Sequence, residues 1–74
     1  MSVGVGQKKM RIRLNGQVQE IEAAATVASL IVLRRPRPPF AVEVNKRLIR
    51  RQAYEATALG DGDVVEIVTL VGGG

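Results

Sequence analysis

Cysteine, histidine and tryptophan are missing from this 74-residue chain, and its aromatics amount to one Phe and one Tyr. Without Cys or His there is no thiolate or imidazole to hold a transition metal, and no familiar nucleophile–base pair. The two usual staples of very small domains, disulfides and structural metals, are therefore excluded as well. A chain of this length buries only about 60% of the surface it exposes when unfolded. One thin core must carry the fold, and an apolar fraction of 46% is enough to build it. No room is left for a deep cleft with its own catalytic apparatus, so the chain does not read as an enzyme. Long hydrophobic runs are absent too: nothing approaches the roughly 20 apolar residues that span a bilayer. The first nine residues, MSVGVGQKK, lack the apolar stretch of a secretory signal. They read as a flexible arm, native or left over from cloning, and the expected address is the cytoplasm.

The charge is unevenly supplied. Eleven Lys and Arg stand against seven Asp and Glu, a net charge of +4, with basic residues gathered at Lys8–Arg13, Arg34–Arg37 and Lys46–Arg51. Such a balance suits an anionic partner, either nucleic acid or an acidic protein surface. A single-strand binder stacks bases on several aromatic rings, and two rings cannot make that platform. The arginines therefore read mainly as solvated surface. Among the acids, Asp61 and Asp63 are close together, but Gly60 and Gly62 beside them describe a turn rather than an acid–base dyad. No side chain is assigned a catalytic or metal-binding role.

What is present is a succession of short periodic segments. Met10, Ile12 and Leu14 alternate with Arg11 and Arg13, the mark of a half-buried strand. Asn15-Gly16 then gives a hairpin turn that needs positive φ at both positions. The return strand, Gln17 to about Glu22, has Val18 and Ile21 at opposite parity, so either a bulge intervenes or one of them faces outward. Thr26 is a credible helix N-cap, and Val27, Leu30 and Ile31 form one face of a helix of eight or nine residues. Pro36 stops that helix, and Arg35 before it is expected to be extended. Phe40–Val44 reads as a strand with Phe40, Val42 and Val44 on one face. Asn45-Lys46 is a second tight turn into a short strand, Arg47–Ile49. Gln52–Leu59 is irregular or a single helical turn, and Val64–Val68 is the most β-prone run of the chain.

Strand, strand, helix, strand, strand, strand suits an α+β fold: a mixed sheet of four to five strands with one main helix packed on one face. The last strand would lie centrally and parallel to the first, since the helix and later strands supply the crossover that parallel pairing needs. This is the β-grasp, or ubiquitin-like, architecture, expected over residues 10–71. One helix covers one face, so Val65 and Ile67 would point to it, leaving Val64 and Val68 on the open face beside Glu66. Those two valines form a candidate docking patch, or else scattered exposed valines of no consequence.

The last three residues are Gly72, Gly73 and Gly74. Glycine has the most freedom to lose on ordering, so three of them are expected to form a flexible tail. A tail without side chains can thread a narrow channel and bring its backbone close to a nucleotide. Its one reactive group would be a carboxylate at Gly74, which must be activated, for instance as an acyl-adenylate, before sulfur can replace oxygen. On composition alone the run reads rather as a disordered end or a cloning remnant.

The segment GDGDVVEIVTLVGGG, residues 60–74, closely resembles the end of the ThiS family, the sulfur carrier proteins of thiamine biosynthesis. MRIRLNGQ, Thr26-Val27 and AVEVNKRLIRRQAY, with Asn45, Arg51 and Tyr54, extend the resemblance over about Met10 to Gly74. The resemblance implies that Gly74 is adenylated by a ThiF-like enzyme using Mg-ATP, with no cofactor bound to the carrier itself. A sulfur donor protein would then yield a thiocarboxylate, which thiazole synthase would consume, while Gly72 and Gly73 thread the partner. The small subunit of molybdopterin synthase is less similar, because the proline pair usual before its terminal glycines is lacking. A protein modifier and a basic RNA-binding module are the other readings. The arm and the dense arginines near Pro36 and Ile49 depart from the family and leave partner electrostatics open.

Overall fold

Alternation in the first strand sets the plan of the sheet. A computed structural model describes residues 8–70 of the chain. In it β1 (Lys9–Leu14) buries Met10, Ile12 and Leu14 and exposes the residues between them. β1 begins one residue earlier than the sequence pattern indicates, because Lys9 pairs with Glu22 across the hairpin. Asn15 (φ 50°) and Gly16 (φ 83°) supply the left-handed backbone of the turn. β2 (Gln17–Glu22) runs back in unbroken register. No bulge reconciles Val18 with Ile21: Val18 lies opposite exposed Arg13 and is 65% exposed, whereas Ile21 lies opposite Met10 and is buried.

The helix α1 (Val27–Arg34) is too short to persist alone. Every N–H of its first turn has a partner, which explains how it starts. Val27 N donates to Thr57 O at 2.9 Å and Ala28 N to Tyr54 O at 3.0 Å. Ser29 N donates to Thr26 Oγ1 at 3.2 Å, while Ser29 Oγ accepts from Thr26 N at 2.8 Å. Ser29 thus takes the reciprocal place more often held by Glu or Gln in a capping box. At the other end Arg35 is not extended. It adopts a left-handed conformation (φ 51°, ψ 56°), with its N–H on Ile31 O at 2.7 Å. The proline rule disfavours the right-handed helical region for Arg35, and a left-handed cap avoids that region while satisfying a terminal carbonyl.

β3 (Phe40–Val44) and β4 (Arg47–Ile49) form the second hairpin around Asn45 and Lys46, both at positive φ. A 3₁₀ turn at Arg51–Ala53 opens the irregular stretch, and β5 (Val64–Thr69) closes the sheet. The strand order is β2-β1-β5-β3-β4, with β5 parallel to β1 and antiparallel to β3. The mixed five-stranded sheet with one helix therefore agrees with the β-grasp expectation. The core is Met10, Ile12, Leu14, Ile21, Val27, Leu30, Val42, Val44, Leu59, Val65 and Ile67, and no described polar residue is buried.

Candidate functional site

The functional question centres on β5, because the glycines follow it in sequence after only Leu70 and Val71. Gly72, Gly73 and Gly74, like Val71, lie outside the described residues, as do residues 1–7 of the expected arm. The structure shows how the strand that precedes them is held. Alternation puts Val65 and Ile67 into the core at 0% and 9% exposure. Val64 and Val68 are 37% and 45% exposed on the other face, as their parity indicates. They do not make one unbroken apolar surface. Glu66 lies between them, Val64 pairs with Arg13 of β1, and Val68 pairs with Ala41 of β3.

Two asparagines from the two hairpin turns grip β5 from opposite sides. On the β1 side the ladder reaches only Val64 and Val65, after which β1 turns away. The Asn15 amide takes its place: Asn15 Oδ1 accepts from Ile67 N at 2.8 Å, and Asn15 Nδ2 donates to Ile67 O at 3.3 Å. On the β3 side Asn45 Oδ1 accepts from Val64 N at 2.9 Å, and Asn45 N donates to Val64 O at 2.7 Å. Asn45 Nδ2 also donates to Asp63 Oδ1 at 3.0 Å. Each asparagine does two things that few residues can do together. It tolerates positive φ in a tight turn, and it offers both a donor and an acceptor on one planar group.

The two carboxylates before β5 serve the same purpose. Asp63 Oδ2 accepts from Gly60 N at 2.7 Å, and Asp61 Oδ1 accepts from Arg11 N at 2.9 Å. Gly62, at φ 88°, donates its own N–H to Arg11 O at 2.7 Å. The turn is stitched to β1, and the acids are occupied by backbone donors rather than poised as a pair. Among the described residues no group of three or more potential ligands could hold a metal ion, and no helix is long and apolar enough to cross a membrane. All eleven Lys and Arg are exposed.

The asparagine grips escape a reading by local pattern, which assigns Asn15 and Asn45 only to their turns. Their side-chain partners are 52 and 19 residues away in sequence. Removing one grip has a measurable cost. Asn15→Ala is expected to destabilise the fold by about 1–3 kcal/mol, since it orphans two partly buried backbone groups. The Ile67 amide should lose hydrogen-exchange protection while Val42, across the sheet, largely retains its own. Unchanged protection at Ile67 would show that the grip does not hold in solution.

Comparison with known proteins places this geometry. Residues 12–74 match the family model described as ThiS family. A sulfur carrier protein ThiS of Bacillus subtilis is 37% identical over 59 residues, 80% of this chain and 77% of that protein. A thiazole synthase of Magnetococcus marinus is 38% identical over 66 residues, which is 88% of this chain. The chain spans only about a fifth of the length of that synthase, and of a second thiazole synthase from Paramagnetospirillum magneticum. Among solved structures, the crystal structure of a ThiS protein from Geobacter metallireducens superposes with a TM-score of 0.76 at 29% identity. That match covers 88% of this chain and 100% of the other.

Proposed function

Because the chain belongs to the ThiS family, we propose that it is a sulfur carrier protein whose cargo is loaded on the carboxylate of Gly74 and spent in forming the thiazole of thiamine. The supporting observation is that the family match runs to Gly74 itself, beyond a strand held on both flanks. The three glycines add no side chain to obstruct a partner's channel.

The chemistry then belongs to the partners, and the carrier is a cosubstrate rather than a catalyst. In an adenylating enzyme of the ThiF type, with Mg-ATP, a Gly74 oxygen attacks the α-phosphorus and pyrophosphate leaves. The persulfide of a donor protein then attacks the acyl carbon and AMP departs with the oxygen; a thiol cleaves the resulting acyl disulfide, forming a disulfide with the donor, and a thiocarboxylate remains. Thiazole synthase is the acceptor on this reading, and the two thiazole synthases that contain a segment similar to this chain support it. Gly72 and Gly73 occupy the narrow passage to the reacting atom. Val64 and Val68, exposed on the uncovered face of the same strand, are the surface on which an enzyme seats the domain. Adenylation of a soluble carrier fits the cytoplasm.

The test is the intact mass of the chain after incubation with an adenylating enzyme, Mg-ATP and a sulfur donor. One oxygen should be exchanged for one sulfur, with the change confined to the last residue. Val68→Glu should slow that exchange without altering the circular dichroism spectrum. A chain whose terminus is instead recovered in an isopeptide bond to lysine would identify a protein modifier. No mass change with an enzyme shown competent on another carrier would remove the proposal.

A further inference from the structure

The positive charge of this chain is not spread over the domain. Residues 34–55 hold seven of the eleven Lys and Arg and two of the seven acids, a net +5, which leaves the rest of the chain at −1. Those residues run from the end of α1 through β3 and β4 to the 3₁₀ turn. They surround a groove of about 450 Å³ where the start of β3 and the end of β4 diverge. Its apolar surface comes from Pro39, Phe40, Leu48 and Tyr54, and its charge comes from Arg50 and Arg51. No acidic side chain lines it. Among the described residues, neither guanidinium hydrogen-bonds to another side chain or carbonyl. The groove between β2 and α1, by contrast, is lined by Lys9, Glu20 and Glu22, a mixed set with one negative charge in excess.

We propose that the Arg50–Arg51 groove receives an acidic segment of a partner protein, seated by one apolar side chain on the Phe40–Tyr54 surface and by carboxylates on the two guanidinium groups. Charge complementarity fixes the sign of the occupant, and the planar guanidinium fork suits a carboxylate. The apolar surface fixes its class. Leu48, 64% exposed, and the pyrrolidine ring of Pro39 give nothing to a bare phosphate, but they bury against an aliphatic or aromatic anchor. Phe40 and Tyr54 stack on one another, with centroids 6.5 Å apart and planes 13° from parallel. Two rings alone are a poor platform for successive bases of a nucleic acid.

The groove also lies beside the end of β5. Pro39 O accepts from Leu70 N at 2.7 Å, and Phe40 is opposite Thr69 in the sheet. A protein that engages the end of β5 meets this groove at the same time. Attraction there would orient the encounter and raise its rate.

The experiment is a titration of the ¹⁵N-labelled full chain, at low salt, with a synthetic peptide of Asp and Glu built around one central Leu. Shifts should concentrate at Phe40, Ala41, Leu48–Arg51 and Tyr54. The double variant Arg50→Glu, Arg51→Glu should weaken binding about tenfold or more, while Lys8→Glu, Lys9→Glu, at the same net charge, should weaken it by about twofold or less. Replacing the central Leu of the peptide by Gly should also weaken binding. Equal weakening by the two double variants would reduce the effect to net charge and overturn the proposal. So would the same shifts, at the same affinity, with inorganic pyrophosphate, which would make the groove a phosphate site. Absence of saturable binding overturns it as well. The titration involves no reaction at Gly74, so its failure leaves the sulfur-carrier reading standing, and a failed sulfur exchange leaves the groove standing.

Discussion

A chain ending at Gly73 is expected to fold as well as the full chain and to lose at least about a hundredfold in its rate of sulfur loading. The core extends from Met10 to Ile67, and the asparagine grips end at Ile67. Removing the last residue therefore leaves the described fold intact. The carboxylate proposed to react, however, is withdrawn by about 3.5 Å, the length of one extended residue. A near-attack arrangement holds reacting atoms about 3–3.5 Å apart, and even a 1 Å misplacement can cost about a hundredfold. Extending the chain by one residue beyond Gly74 displaces the acid in the other direction and should be as damaging. Thermal melting and intact mass separate the two effects. Equal loading of the shortened and full chains would show that the reacting position is not fixed by tail length.

Leu30→Ala is expected to cost about 2–5 kcal/mol, the range for truncating a buried leucine. A domain of this size has a total stability of about 4–11 kcal/mol at 0.05–0.15 kcal/mol per residue. The substitution therefore removes a large share of the whole. Leu30 and Val27 are the only fully buried side chains of α1, and that helix cannot persist without the sheet. Urea unfolding should show a lowered midpoint. Leu30→Met, which nearly conserves volume, should cost less than about 1.5 kcal/mol. An alanine variant within 1 kcal/mol of the parent would mean that α1 is held chiefly through Thr26 and the carbonyls of Tyr54 and Thr57.

The alternating strands, both Asn-containing turns and the Thr26 cap are legible in the sequence because each is a local signal, complete within a few residues. The central place of β5 follows from its β-branched run together with the crossover argument, and the exposure of Val64 and Val68 follows from parity. Local signals fail where a distant partner decides. Arg35 obeys the helix cap rather than the extended preference of a residue before proline, because a carbonyl of the last turn needs its N–H. Gln52–Leu59 has no period, yet it supplies the two carbonyls that complete the helix N-terminus. The Arg50–Arg51 groove is equally hidden, since it exists only once Phe40 and Tyr54 are stacked across a sheet edge. The glycines are the reverse case: the resemblance singles them out, and they lie outside the described residues.

The central position of β5 also has a mechanical meaning. If a partner draws in the residues after β5, as proposed, the load acts along the axis of a strand bonded to neighbours on both sides, by β1 with Asn15 and by β3 with Asn45. Such a load acts in shear: many hydrogen bonds must give way together, whereas a strand pulled from a free edge peels away one bond at a time. Resistance to pulling is a property of the unfolding rate rather than of equilibrium stability. On the proposed reading, a domain with a thin core would resist a pull applied beyond β5 better than its equilibrium stability alone implies.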